Sequence, residues 1–224
     1  MKKIILASAL VLLATFVSLA AQTASGKGKE ELKLKLPKPM FIGTPTNLKS
    51  ANLEVITGKP RGPFYVPKGT VLLSGKKKVT SSDANPVIGE LDMITDGEKS
   101  GSDGYFVELG PGVQWVQVDL GASHPLSAML VWHYHSQARI YHDVIVQVSD
   151  DPAFKTGVTT IFNNDHDNSS KLGQGKDKES IEVAEGKLFD PKGAKGRYLR
   201  LWSKGNTTND LNHYVEVEVY GLPK

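Results

Sequence analysis

Val215-Glu216-Val217-Glu218-Val219-Tyr220-Gly221 is the stretch that decides how this chain reads. Its valines face one way and its glutamates the other, the period of two that a half-buried strand requires, and Gly221 ends the run. The same rhythm recurs upstream. Val116, Val118 and Leu120 alternate with Trp115, Gln117 and Asp119. Val144, Val146 and Val148 alternate with Ile145, Gln147 and Ser149 until Asp150-Asp151-Pro152 breaks the pattern. Tyr198-Leu199-Arg200-Leu201-Trp202 sets Leu199 and Leu201 against Arg200. From Val71 onward the chain is a series of such runs bounded by Gly, Pro, Asn and Asp, and none shows a sustained 3.6-residue period. The pattern predicts an all-β, antiparallel sandwich or barrel with at most short helical turns.

Composition agrees. With 224 residues, 39% hydrophobic and 23% charged, the chain is globular and long enough for one well-filled core. It has no cysteine, which excludes disulfides, zinc–thiolate sites, a cysteine nucleophile and a lipid-modified cysteine. The net charge of +3 hides a division. Residues 22–78 hold 12 Lys+Arg against three acids, whereas residues 79–224 hold 13 against 21. A basic arm is joined to an acidic body, and an acidic folded unit argues against nucleic acid as a partner.

Lys2 and Lys3 precede an uncharged apolar stretch that ends in small residues near Ala20-Ala21. This reads as a signal peptide over residues 1–21, so the mature protein is expected to be secreted or periplasmic. The rival is an uncleaved membrane anchor, because the apolar run approaches the ~20 residues needed to span. Residues 22–70 are basic and punctuated by Pro39, Pro45, Pro60, Pro63 and Pro67. They read either as an exposed linker or as an extended arm on the acidic body, anchored by Phe41, Phe64 and Tyr65. Such an arm also offers contact with an anionic surface.

In order, Val79-Thr80-Ser81-Ser82, Thr95-Asp96-Gly97, Gln114 to Gly121, Val146 to Asp151, Gly196 to Leu201 and Glu216 to Gly221 resemble the discoidin, or coagulation-factor type C, domain. That domain belongs to the galactose-binding-like jelly-roll superfamily. The resemblance covers about residues 71–222 and implies a jelly-roll β-sandwich over 71–224. Animal members carry two terminal-strand cysteines; these are missing here, as in many bacterial carbohydrate-binding modules. The resemblance also implies a structural calcium where the early Asp-Gly loop meets the last strand, held by Asp96, Asp103 and Glu216 with backbone oxygens between Lys99 and Asp103. A Gly- and Asp-rich turn suits calcium's oxygen shell, but Lys99 inside that loop would have to point its ammonium away.

All six histidines lie after residue 123. His133 and His135 share a strand face, with Arg139 and His142 close behind. Two further polar runs follow, Asn163 to Ser170 with Asp165 and His166, and Asn206 to His213. Connecting loops of a jelly roll can gather at one end. Three readings stand for His133, His135, Arg139, His142, Asp165, His166 and Asn206. They form a carbohydrate-binding face, since hydroxyl-rich ligands need such donors and acceptors. Or they bind a transition metal or do acid–base work. Or they tie long loops together, the default for His124 and His213. No enzyme motif is present: no Gly-x-Ser-x-Gly elbow, no phosphate-cradling loop and no His-Glu-x-x-His helix. The expected function is a non-catalytic module for extracellular or cell-envelope glycans, the alternative a structural or adhesion domain.

Overall fold

The computed structural model describes residues 28–41, 45 and 47–224; the expected signal peptide lies outside the described residues. Two antiparallel sheets face each other. The first sets β4 (Val79–Ser81), the front half of β6 (Gln114–Trp132), β10 (Lys195–Ser203), β7 (Ile145–Ser149) and β8 (Thr159–Asn163) side by side. The second sets β3 (Val71–Leu72), β12 (Glu216–Gly221), the rear half of β6 and β9 (Lys187–Phe189) side by side. A short ladder joins β5 (Val107–Leu109) to β11 (Asn212–Tyr214). The all-β expectation holds: among the described residues the helical content is one 3-10 turn, Leu91–Thr95.

Strand β6 runs on where the sequence suggests a stop. Gly121 adopts φ 86 and Pro125 lacks an N–H, so the pair bends the strand without ending it, and its second half joins the other sheet. In the first sheet Val118 pairs with Leu199 and Val116 with Leu201; in the second Val131 pairs with Val217 and Met129 with Val219. All eight side chains meet in the core between the sheets, with Val146, Val148 and Phe189. Full burial of each such side chain is worth roughly 1.5–3 kcal/mol.

The outer face of the second sheet carries a second apolar cluster. Leu130, Trp132, Tyr134, Val215 and Phe106 are covered by Leu32 and Leu34. The arm is therefore bound to the body, with Leu32 and Leu34 among the residues that hold it. Leu32 and Leu34 alternate with Lys33 and Lys35, the same period-two pattern as the body's strands. The backbone completes the match: β1 (Lys29–Glu31) pairs with β2 (Tyr65–Pro67), and Leu32 N–H donates to the Phe64 carbonyl at 2.8 Å. Further along, Glu54 N–H donates to the Glu179 carbonyl, and the Arg61 guanidinium donates to the carbonyls of Glu185 and Gly186 at 2.9 Å. Gly186 lies flat on Trp132; a Cβ there would stand 2.6 Å from the indole.

Candidate functional site

The long connections leave from one end of the sandwich. Residues 133–144 follow β6, 164–186 follow β8, and 204–211 follow β10. Ile140 bridges Ile181, and Tyr141 bridges Asn206. His142 N–H donates to the Gly205 carbonyl at 3.1 Å, and Glu182 N–H to the Arg139 carbonyl at 2.9 Å. Segments far apart in sequence thus form a common rim. His124 stands apart, its Nδ1–H donating to the Leu222 carbonyl at 3.1 Å beside the bend of β6.

The seven anticipated residues reach this end but do not share one surface. His133 is interior: it stacks on Tyr141 with centroids 4.4 Å apart, and its Nδ1 meets Glu182 at 3.0 Å. His135 is buried, and its Nε2–H donates to the Lys99 carbonyl at 2.8 Å. Asp165 is buried and accepts the N–H groups of Ser169 and Ser170. Asn206 closes its own turn, with its Oδ1 accepting from Thr208 and its Nδ2 donating to Asn209. These four make their contacts within the fold, and His133 Nε2 and His135 Nδ1 have no partner among the described residues. Arg139 opens onto one cleft, and His142 and His166 onto another.

The Arg139 pocket encloses about 150 Å³ between Phe106, Tyr134, Glu108, Gln137, Asn209 and His213. Arg139 is only 4% exposed; its guanidinium lies 4.6 Å from the Tyr134 ring centroid and donates from Nη2 to Gln137 Oε1. Its Nε is buried with no hydrogen-bond partner among the described residues. Behind it runs an ordered chain of protons. Burial pushes the His213 imidazole down to about 4, with Arg139 and His133 adding to the effect, so the ring is neutral at neutral pH. A neutral ring has one N–H and one lone pair: Nε2–H donates to Glu108 at 2.9 Å, and Nδ1 accepts the Tyr141 O–H at 2.9 Å. Burial pushes Glu108 up while Arg139 pulls it down. The sequence does not single out Glu108, Gln137 or Asn209, which sit in a short strand and in loops without periodicity.

The second cleft, of about 450 Å³, is polar throughout, with Asn52, His142, Asp143, His166, Asp167 and Lys204 among its walls. Its histidine behaves oppositely. The hydrogen bond from Nδ1 of His142 to Glu179, at 3.2 Å, raises the imidazole's pKa despite half-burial. Burial pushes Glu179 up, but His142 and Ser50 together outweigh it and hold the carboxyl below its usual value. Carboxylate oxygens of Asp143 and Asp167, in its wall, and of the buried Asp165 lie within 4.8 Å of one another, an arrangement able to hold a cation. Burial, with Asp165 and Asp167 adding, raises Asp143.

The positions expected to hold calcium lie elsewhere. Gly97 N–H donates to Glu216 Oε2 at 2.9 Å, which brings the Asp96 loop against β12. Burial pushes Glu216 up to about 8, with Glu218 and Asp96 adding. Asp103 makes no hydrogen bond to either residue among the described residues.

Solved structures share this jelly-roll sandwich at the level of fold. A fucose-binding module from Streptococcus pneumoniae matches with a TM-score of 0.50 at 16% identity, over 68% of this chain and 99% of its own. A chitosan-binding module from a chitosanase/glucanase of Paenibacillus sp. IK-5 matches at a TM-score of 0.43 and 22% identity, over 67% and 99%. A family 89 glycoside hydrolase from Clostridium perfringens matches at 0.48 and 18%, over 69% of this chain but only 16% of the hydrolase. No family model and no curated protein matches the chain.

Proposed function

We propose that the protein is a secreted or periplasmic, non-catalytic carbohydrate-binding module whose sugar sits in the Arg139 pocket. The observation that carries this reading is the guanidinium itself. Arg139 has five N–H donors, is almost wholly desolvated, and keeps donor capacity unspent at a small pocket. Sugar hydroxyls are acceptors for it, while Glu108 offers an acceptor and Gln137 and Asn209 offer amides at the mouth. Tyr134 and Phe106 supply apolar walls. About 150 Å³ is small beside the ~300–1,000 Å³ of sites for drug-sized ligands, which suits one sugar ring. The fold shared with the fucose-binding module supports the class of ligand without naming the sugar.

A glycan array probed with the parent and with Gln137→Ala tests this. Gln137 is exposed, so its loss leaves the fold intact. The parent is expected to bind a subset of glycans, and the variant to bind the same subset about tenfold more weakly, the value of one lost hydrogen bond in a desolvated site. No binding by the parent, or equal binding by both, would overturn the reading.

A second reading, attachment to an anionic surface, is favoured by one feature. Lys33, Lys35 and Lys38 point to solvent while Leu32 and Leu34 hold the arm down. Because the arm covers the Trp132 face, deleting it would damage the fold; charge reversal of the lysines is the cleaner test.

A further inference from the structure

Two carboxylates two residues apart on β12, Glu216 and Glu218, point to the same side of the sheet and are 1% and 4% exposed. Burying them there requires either a proton or a nearby positive charge. The fold's expected answer is calcium, which takes roughly 6–8 oxygens at about 2.3–2.6 Å. The loop is poorly suited to that role, because four of the oxygens it would use are already engaged. The Lys99 carbonyl accepts His135 Nε2–H at 2.8 Å, and the Gly101 carbonyl accepts the Ser136 hydroxyl. Asp96 Oδ1 accepts Glu98 N–H at 2.7 Å, and Glu216 Oε2 accepts Gly97 N–H at 2.9 Å. A cation is present in the chain itself: Lys99 is 9% exposed, its ammonium is bonded to Glu218, and it lies 5.1 Å from the Trp132 ring centroid.

We infer that the Lys99 ammonium replaces a structural calcium in this loop, so that the fold carries its own cation there and needs no metal to join residues 96–103 to β12. The aromatic face and the carboxylate act on the ammonium from two sides, an arrangement a divalent ion cannot share without expelling the side chain. His135 and Ser136 complete the substitution by holding the loop's carbonyls where a metal would otherwise have gathered them.

The test is thermal unfolding in chelator and in millimolar calcium chloride, using Asp167→Asn as background so that the acidic cluster at the rim does not contribute. The expected result is one melting temperature in both solutions, and a fall of about 10 °C in both when Lys99→Met is added, because Glu218 is then buried without its partner. If Lys99→Met does not fold, the double change Lys99→Met/Glu218→Met removes both charges and is expected to fold in chelator. A calcium-dependent rise of several degrees in the background protein would overturn the inference. So would a Lys99→Met variant that melts with its background, or a double variant that folds only with calcium.

Discussion

Two clefts share the rim, and His213 in the first and His142 in the second are driven in opposite directions. His213 sits among Phe106, Tyr134 and Tyr141, with a guanidinium nearby, and burial holds it neutral. His142 is half in water and bonded to Glu179, which favours its charge. The first environment has paired away its polar groups behind the surface, leaving Arg139 to face the pocket. The second pairs most of its groups mutually, acid against base and Asp against backbone N–H, although His166 Nε2 is also buried without a partner among the described residues. What marks the first cleft is a guanidinium with unspent donors set against aromatic walls, rather than the number of polar residues.

The largest expected effect comes from removing that capacity. Arg139→Ala should lower unfolding free energy in urea by about 1–3 kcal/mol, since the guanidinium's contact with the Tyr134 ring and its bond to Gln137 are lost, and should abolish glycan binding. His142→Ala should cost about 1 kcal/mol and leave binding unchanged. Equal destabilisation by the two would erase the distinction between the clefts.

The next effect is in pH. His213 is held to about 4 in the fold against an ordinary 6.5, so the unfolded chain takes up its proton first. Its contribution is intact above about pH 6.5 and is lost as pH falls toward 4, with a slope of up to ~1.4 kcal/mol per pH unit. His142 has the opposite sign: its pKa is raised, so its contribution is present in mild acid and lost as pH rises through its folded value. Urea titrations across pH should lose the acidic limb in His213→Gln and the neutral-to-alkaline decline in His142→Gln. The account fails there if both variants keep the parent's profile.

The smallest effect concerns the arm. Lys33→Glu with Lys35→Glu should change stability by no more than about 0.5 kcal/mol, because both side chains are in water. The pair should weaken retention on an anionic resin at low salt, a difference that vanishes at high salt. A large loss of stability would mean the lysines, and not Leu32 and Leu34, hold the arm.

Most of the fold is legible in the chain. Val217, Val219, Val116, Val118, Leu199 and Leu201 announce strands because burial on one face imposes the period of two. Gly121 and Pro125 mislead, since both end strands more often than they bend them, and only the partners on either side make a bend stable. Leu32 and Leu34 carry the same period as the body, but the lysines between them give the segment the look of a linker. The rim is legible as a gathering of loops. Its division into two clefts is not, because whether a histidine points inward or outward depends on partners such as Glu182 and Glu108 that are remote in sequence. Lys99 stands out in the sequence as an obstacle to calcium; that its ammonium turns inward becomes visible only with Glu218 and Trp132 beside it.

The central claim, that Arg139 takes the sugar, is tested most directly at the guanidinium itself. In nitrogen–proton correlation spectra, the Arg139 Nε–H resonance should move progressively and saturate as the best array ligand is added, while the ring signals of His142 and His166 stay in place. A saturable shift at His142 and His166 with Arg139 unmoved would contradict the account and put the ligand in the other cleft.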